Sequence, residues 1–347
     1  MNKLKLRKYA GRMSISVKII IAIVFCFFLL CFAAASGTSN IKATDTISII
    51  FYKIFNLPAN NVSEATAVIV WKLRLPRVIL SFIVGACLSI AGTVFQSVLK
   101  NHLASPYILG LSSGASLGAG IIMVTGFALP LIGAFTMPIA GFIAGLLTVF
   151  LVITFSGKID KSLSNNTVIL CGMVFSLFVN AILTTLIALY REELKTLIIW
   201  QMGSFAMRGA LYVQLILPFF IIGTLGVMRL TREMDILTFG EENAKSVGVA
   251  VESAKKQLFF FGAVLTGGAV ALSGTIGFVD LVAPHVARRI VGAVHKYVVP
   301  MAALTGGALM VISDLIARTI VAPSELPVGA VTALIGAPFF AYIYFKK

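Results

Sequence analysis

The chain has few charged residues. Only 12% of its 347 residues are Asp, Glu, Lys or Arg, and its mean hydropathy is +1.01. A soluble globular domain carries about 25% charged residues. A chain this apolar cannot keep most of its surface in water, and we therefore expect it to lie in a lipid bilayer.

The motifs of ATP-hydrolysing and catalytic domains are also missing. No G-x-x-x-x-G-K-[ST] phosphate loop occurs, and no segment between apolar runs is long enough to fold a nucleotide-binding domain. The three histidines, His102, His285 and His295, form no HExxH or clustered Cys/His set. We expect neither an enzyme nor a resident metal or cofactor, so any ATP hydrolysis must come from a partner.

Cysteine is scarce, and the positive charge is dispersed. The four cysteines lie inside apolar runs without CxxC spacing, which predicts packing residues: Cys26, Cys31, Cys87 and Cys171. The net charge of +15 is scattered through short loops with no aromatic-interleaved patch. This pattern favours contact with anionic lipid headgroups over nucleic acid.

Long apolar runs dominate what is present. About ten of them could each cross a bilayer as a helix, which takes about 20 residues. We predict an all-α, polytopic membrane protein with a single transmembrane domain over residues 1–347. The first run, 17–36, could also belong to a secretory leader, but its apolar core is long and its removal would leave an odd number of spans. The shortest run is 280–294.

The distribution of Lys and Arg predicts the orientation. If the N-terminus is inside, about two thirds of the 28 basic residues fall on the inner side. Both termini are then cytoplasmic. Residues 1–16 form a cytoplasmic N-terminal segment, and residues 229–256 form the longest cytoplasmic connection between spans.

Three motif runs follow one another along the chain. They are WKLRLPR with the small-residue run behind it (71–115), GTIGFVDLVAPHVAR (274–288), and SDLIAR followed by ELPVG and GAPF (313–339). From Trp71 to the C-terminus these runs resemble the FecCD family, the permeases of ABC importers for ferric siderophores, haem and vitamin B12. Two positions depart from the family pattern: His102 stands where Pro is usual, and Asp280 where Gly is usual.

The resemblance implies a fold like that of the vitamin B12 permease, with ten helices per subunit. It implies a homo- or heterodimer of permease subunits in a bacterial cytoplasmic membrane, two cytoplasmic ABC ATPase subunits and an extracytoplasmic substrate-binding protein. The cargo it implies is an iron chelate, a ferric siderophore in the first place, with haem or cobalamin as the alternatives. An ion-coupled secondary transporter is the alternative of another class, although no helix centre carries an acidic-basic pair.

Three arginines, Arg74, Arg77 and Arg318, fall on the outer side of this topology although they are far apart in sequence. In similar permeases these positions receive acidic residues of the binding protein, which suits the planar fork of Arg. The alternative is ordinary interfacial arginine that reaches the lipid headgroups.

The inner connection contains small residues at four-residue spacing, Gly240, Ala244 and Gly248, with Glu241 among them. In a short helix this spacing predicts a smooth face that a partner can approach closely, and the glycines end or hinge the turn. The segment resembles the coupling helices by which family members contact their ATPases. The alternative is a plain basic loop.

Five further residues are candidates for the translocation path or its gate: Gly203, Ser204, Asp280, Pro284 and His285. Gly203 and Ser204 belong to a run that resembles the family's W-x-x-G-S element, which the resemblance places near the outer mouth; the alternative is that Trp200 is an ordinary interfacial residue. Asp280 could touch substrate, but we favour a solvated helix N-cap near Gly277 and Phe278. A lone histidine such as His285 is more often hydrogen-bonded packing than a ligand.

Gly110, Gly114 and Gly118 recur every four residues in an apolar run. This small-xxx-small spacing predicts close helix-helix packing rather than a site.

Overall fold

The computed structural model describes residues 13–37, 41, 43–55, 63–130, 133–190 and 194–345. Most of the predicted cytoplasmic N-terminal segment 1–16 lies outside the described residues, as do Lys346 and Lys347 at the C-terminus. The predicted orientation of the termini therefore stays a prediction.

The described part of the chain is all-α, as predicted, and contains no strand. We number its helices α1 Ile15–Ala35, α2 Ala43–Phe55, α3 Glu64–Val98, α4 Leu111–Thr125, α5 Thr136–Ile159, α6 Asn165–Leu189, α7 Leu194–Gln201, α8 Ala210–Arg229, α9 Thr231–Leu237, α10 Glu241–Ser246, α11 Val251–Ser273, α12 Val279–Val291, α13 His295–Thr319 and α14 Val328–Phe345.

Seven of the described helices are long and apolar enough to cross a membrane: α1, α3, α5, α6, α8, α11 and α13. Two shorter apolar helices, α4 and α14, accompany them. The predicted count of about ten spans is not confirmed. The run 280–294 shows one reason, since it forms only the 13-residue α12, which at 1.5 Å per residue is about 20 Å long, against a hydrocarbon core of about 30 Å.

The centre of the bundle is the antiparallel pair α3 and α13, which pack more extensively than any other two described helices. Glycine permits the close approach. A Cβ on Gly85 would lie 2.3 Å from the Gly306 carbonyl oxygen, and one on Gly306 would lie 2.4 Å from the Gly85 carbonyl oxygen. Both carbonyl oxygens belong to helix backbone and could not move aside for a side chain, so the helices can approach this closely only with glycine at both positions.

The helix α12 packs against α3 in the same way. A Cβ on Gly92 would lie 1.9 Å from the backbone oxygen of Asp280, in the first turn of α12. Gln96 lies one turn further along α3 and donates to that same oxygen at 3.2 Å. The start of α12 is thus held against the last two turns of α3.

The small-residue stripe of α4 packs on α5, which confirms the prediction for this run. A Cβ on Gly114 would meet the Thr148 hydroxyl at 2.2 Å, and one on Gly118 would meet the Ala140 carbonyl oxygen at 2.5 Å. The four cysteines form no disulfide, and three of them are buried, as predicted for packing residues.

The bundle has two polar ends, which we name after one residue of each. At the Arg77 end lie the start of α3 and the end of α13. At the Gly240 end lie the short helices α9 and α10 and the start of α11 and of α13. Between the ends, α1, α5 and α6 expose large apolar side chains, among them Phe28, Phe150 and Leu177, as expected for surfaces that face lipid.

Candidate functional site

A local break in α3 positions two of the predicted arginines. Residues Ile69–Arg74 form a π-helical turn, in which the Leu75 amide donates to the Val70 carbonyl. Pro76 follows in the first turn of regular helix and has no amide to offer. Wide turns of this kind are frequent at functional sites. Arg77 lies three residues after Arg74, on the same side of the helix.

Arg77 binds two carboxylates at once. Its Nε lies 3.1 Å from both oxygens of Asp314, its Nη1 lies 2.8 Å from Glu325 Oε1, and its Nη2 bonds to both acids. The Asp314 side chain is only 1% exposed, whereas that of Glu325 is 35% exposed. The inner carboxylate is therefore a fixed partner, and the outer one faces solvent. The ion pair with Arg77 also lowers the pKa of Glu325.

Arg74 and Arg318 are buried against the end of α1. Arg74 Nη1 donates to the Ala35 carbonyl at 2.7 Å, and Arg318 donates to the Ala33 carbonyl. Cations at a helix C-terminus satisfy its last carbonyls and complement its dipole. The three predicted arginines thus meet at one place, with Arg318 also 3.8 Å from Asp314. Their docking role stays a prediction.

These arginines line a cavity of about 240 Å³ at the Arg77 end. Phe205, Met207 and Arg208, which precede α8, line the same cavity. The Arg208 guanidinium lies 4.5 Å from the centre of the Tyr212 ring. The pair is not evident from the sequence, because Arg208 precedes the N-cap of α8 and no helix periodicity places it over the Tyr212 ring.

Gly203 and Ser204 lie beside this cavity in a backbone junction of three elements. The Ser204 amide donates to the Ser273 carbonyl at 2.9 Å, and the Val328 amide donates to the Gly203 carbonyl at 3.1 Å. The ends of α7 and α11 and the start of α14 are joined here. Gly203 has a φ of 75°, which favours glycine.

Asp280, Pro284 and His285 lie on α12, apart from Gly203 and Ser204. The prediction of a solvated N-cap for Asp280 is wrong, because Phe278 is the N-cap and Asp280 is 1% exposed. Ser105 donates to Asp280 Oδ2, and Oδ1 has no partner among the described residues. Close packing on α3 buries the first turn of α12, and no local sequence pattern predicts this burial. His285 is half-buried on the same helix.

At the Gly240 end, Glu241 forms an ion pair with a buried lysine. Lys255 is 1% exposed, and its Nζ lies 2.6 Å from Glu241 Oε1 and 2.7 Å from the Leu163 carbonyl oxygen. A buried ammonium is tolerated only when it is paired and hydrogen-bonded in this way. The pair joins α10 to α11 and to the loop before α6. Local sequence does not distinguish Lys255 from the other basic residues of the connection 229–256, because its burial depends on contacts with α10 and with the loop before α6.

The predicted coupling residues form a short helix with glycine at both sides. Gly240 and Gly248 have φ values of 117° and 86° and lie outside the six-residue α10. They end the turn as predicted. The predicted smooth face is wrong, because Ala244 is fully buried in the main core, whereas Gly240 is half-buried and Gly248 is exposed. The outward side of the segment carries Phe239, 77% exposed, and Val247, 67% exposed.

A second buried cluster at this end joins α9, α13 and α3. His295 Nδ1 and Asp235 Oδ1 lie 2.6 Å apart, and the His295 amide donates to the same oxygen at 2.9 Å. The other ring nitrogen of His295 hydrogen-bonds to Ser97. The short helices α9 and α10 are thus each tied to a long helix by a charged or polar contact.

An apolar helical bundle with polar sites confined to its ends defines a multi-pass membrane transport subunit. The sequence model of the FecCD transport family matches residues 21–346, and the chain belongs to this family. It is an ABC importer permease of the FecCD type, located in the inner membrane.

Relatives with different cargoes are similarly close. The chain is 46% identical, over 80% of its length and 79% of the relative's, to an uncharacterized ABC transporter permease protein of Bacillus subtilis, YvrB. It is 37% identical to the hemin transport system permease HmuU of Yersinia pestis, over 90% and 92% of the two chains. It is equally 37% identical to the cobalamin import permease BtuC of Halobacterium salinarum, over 81% and 74%.

A solved structure supports the fold. The chain superposes with a TM-score of 0.82 and 27% identity on an inward-facing ABC transporter described as of the metal-chelate type. The match covers 95% of this chain and 99% of the other.

Proposed function

We propose that this permease imports an iron chelate, a ferric siderophore in the first place, that a binding protein delivers at the Arg77 end. ATPase subunits act at the Gly240 end, which we assign to the cytoplasm. The observation that carries the proposal is the separation of the two polar sites: a solvent-facing arginine cavity at one end and a short glycine-flanked helix at the other.

Docking at the Arg77 end is supported by an excess of cations. Four arginines line the cavity together with a single glutamate, and Asp314 lies buried beneath Arg77. Such a surface attracts acidic side chains of a partner. Since the donors of Arg77 are occupied by Asp314 and Glu325, an incoming carboxylate must compete with Glu325.

Coupling at the Gly240 end is supported by two exposed apolar side chains beside α10. Phe239 and Val247 lie outside the membrane-crossing helices, where large apolar side chains indicate a protein contact. Motion of α10 would reach α11 through the Glu241–Lys255 pair. Binding of ATP to the partner subunits supplies the free energy of the switch, since the sequence has no phosphate loop.

A permease dimer would complete the translocation pathway. The five candidate gate residues lie at two heights along the bundle. The Gly203–Ser204 junction belongs to the Arg77 end, and α12 carries Asp280, Pro284 and His285 nearer the other end. Two levels fit a path that opens alternately to each side.

The cargo class rests on the relatives. Iron-hydroxamate, iron-citrate, hemin and cobalamin permeases all match the chain. Iron chelates are the most frequent cargo among them. Haem or cobalamin is the second candidate, because the hemin and cobalamin permeases, at 37% identity, are more similar to the chain than the iron-hydroxamate and iron-citrate permeases, at 34% and 33%.

The test is charge reversal at Arg74 and Arg77. The double variant R74E/R77E should abolish binding-protein-dependent uptake while the chain still inserts into the membrane. Because Arg74 and Arg77 also hold helix ends together, size-exclusion profile and thermal unfolding are measured alongside. Reversal of the facing acids of the binding protein should restore binding. Normal uptake by R74E/R77E would refute the docking site.

A second measurement separates an ion-coupled carrier from an ABC permease. The purified chain in liposomes, without ATPase subunits, should transport nothing under a proton or sodium gradient. Gradient-driven uptake by the chain alone would refute the proposal.

A further inference from the structure

The four arginines of the cavity differ in their partners. Arg77 binds Asp314 and Glu325, and the other two predicted docking residues bind the carbonyl oxygens at the end of α1. Arg208 is the exception. No carboxylate or carbonyl oxygen among the described residues accepts from it, and its Nε is buried without a hydrogen-bond partner.

The position of Arg208 is electrostatically unfavourable. It stands two residues before α8, whose N-cap is Gly209. A helix N-terminus carries the positive end of the dipole, which repels a cation. A buried donor without an acceptor adds a further cost. An anion bound to the outer nitrogens of Arg208 would offset the unfavourable position of its charge.

The Tyr212 ring holds the guanidinium in place. It lies against one face of Arg208 at 4.5 Å and packs on Phe135 with ring centres 5.5 Å apart. A guanidinium held by stacking loses little conformational entropy when it binds a ligand, and its planar N–H donors suit a carboxylate.

The size and neighbours of the cavity decide which anion fits. Its volume of about 240 Å³ is below the range of about 300–1,000 Å³ usual for small-molecule sites. A chelate is too large, whereas one side chain can enter. Arg77 and Glu325 line the same cavity, so an acid bound there would lie beside the proposed docking arginines.

We propose that Arg208 is a docking residue that receives an aspartate or glutamate side chain of the substrate-binding protein in this cavity. The inference rests on the proposed function. It adds a residue that reaches the acid without displacing Glu325, because Arg208 is not engaged by the chain's own carboxylates.

The test measures the affinity of the binding protein for the complete transporter in nanodiscs of neutral phosphatidylcholine. R208Q should weaken binding about tenfold or more, and R208K should weaken it less, because a lysine keeps the charge but not the fork. Y212L, which removes the stacking ring and leaves the charge, should weaken binding by a smaller factor. The matched control is K195Q, which removes an exposed charge on α7 and should leave affinity unchanged.

The outcomes separate the inference from the proposed function. If R74E/R77E weakens binding and folded R208Q binds like K195Q, the inference is wrong and the proposed function stands. If the wild-type transporter binds no such protein, both are wrong. If the R208Q defect appears only in nanodiscs that contain anionic phospholipid, Arg208 binds a lipid phosphate and the inference is wrong.

Discussion

The two ends of the bundle differ in how their charged and polar side chains are paired. At the Gly240 end, the cation Lys255 is paired with Glu241, and the His295 ring is hydrogen-bonded to Asp235, each at 2.6 Å. At the Arg77 end, four arginines share two carboxylates, one of them partly exposed. At the Gly240 end the two short helices are each tied by a matched pair, whereas the arginines of the Arg77 cavity outnumber the carboxylates beside them.

This difference indicates different tasks. Matched pairs between a short helix and a long one hold α9 and α10 in place, so that force applied to them reaches the bundle. An excess of cations in the cavity attracts an acidic partner, although Arg74 and Arg318 also hold the end of α1. Variants at the Gly240 end should therefore fail first in stability and coupling, and variants at the Arg77 end first in partner affinity.

The largest effect is expected at the Glu241–Lys255 pair. Glu241→Ala leaves the buried Lys255 ammonium with only the Leu163 carbonyl and the Asn165 side chain as acceptors. Removing one partner of a buried pair costs about 3–5 kcal/mol. Thermal unfolding of the purified chain should show a clearly lower midpoint, and ATP-driven transport should fall with it.

Two variants control this result. Glu242→Ala changes the exposed neighbour of Glu241 and should leave the midpoint unchanged. The double variant E241A/K255M removes both charges and should be more stable than E241A alone, because no uncompensated cation remains. If E241A and E242A unfold at the same temperature, the Gly240 end is not held by its charge pair.

A smaller and opposite effect is expected at Glu325. Glu325→Gln removes the exposed carboxylate from Arg77 and leaves Asp314 in place. An incoming acid then has less to displace, so binding-protein affinity should rise, by at most about fivefold because the lost pair is partly exposed. Glu325→Asp, which retains the charge, is the matched control. Lower affinity for E325Q would mean that Glu325 helps docking instead of competing with it.

The pH dependence of this competition follows from the lowered pKa of Glu325. Above its ordinary pKa, the Glu325 carboxyl is charged and keeps its ion pair with Arg77. It loses the ion pair only as the pH falls through the lowered pKa of the folded protein. Arg77 and Arg318 are the charged groups responsible. The affinity ratio of E325Q to wild type should therefore stay constant from pH 8 to pH 5. A ratio that falls towards one in this range would show that Glu325 protonates there.

Sequence patterns predicted what depends on composition and local spacing. Hydropathy predicted the helical membrane bundle, and the glycine spacing of α4 predicted its packing on Thr148 and Ala140. The charge-side argument brought Arg74, Arg77 and Arg318 to one end, where the structure also has them. These features follow from periodicity and from the cost of charge in lipid, which a single sequence reveals.

Features that depend on long-range packing could not be predicted. Lys255 and Asp280 read as surface charges, but α6, α10 and α3 bury them. Ala244 belonged to a small-residue stripe, yet α10 is too short to present the stripe as one face, and the alanine turns into the core. Arg208 can be recognised as part of a site only from the cavity that it lines together with Arg77 and Glu325.

The smallest effect is expected at Lys245, which tests whether an exposed ion pair of the Gly240 end matters for stability or coupling. Lys245 lies 2.7 Å from Glu252, with side chains 47% and 38% exposed, and the pair raises the pKa of Lys245. Water screens such a pair, so Lys245→Ala should change neither the thermal midpoint nor ATP-driven transport. Suppose instead that K245A keeps its midpoint but loses transport or ATPase binding. Lys245 would then touch the ATPase, and the Gly240 end, like the Arg77 end, would hold a charge that only a partner completes.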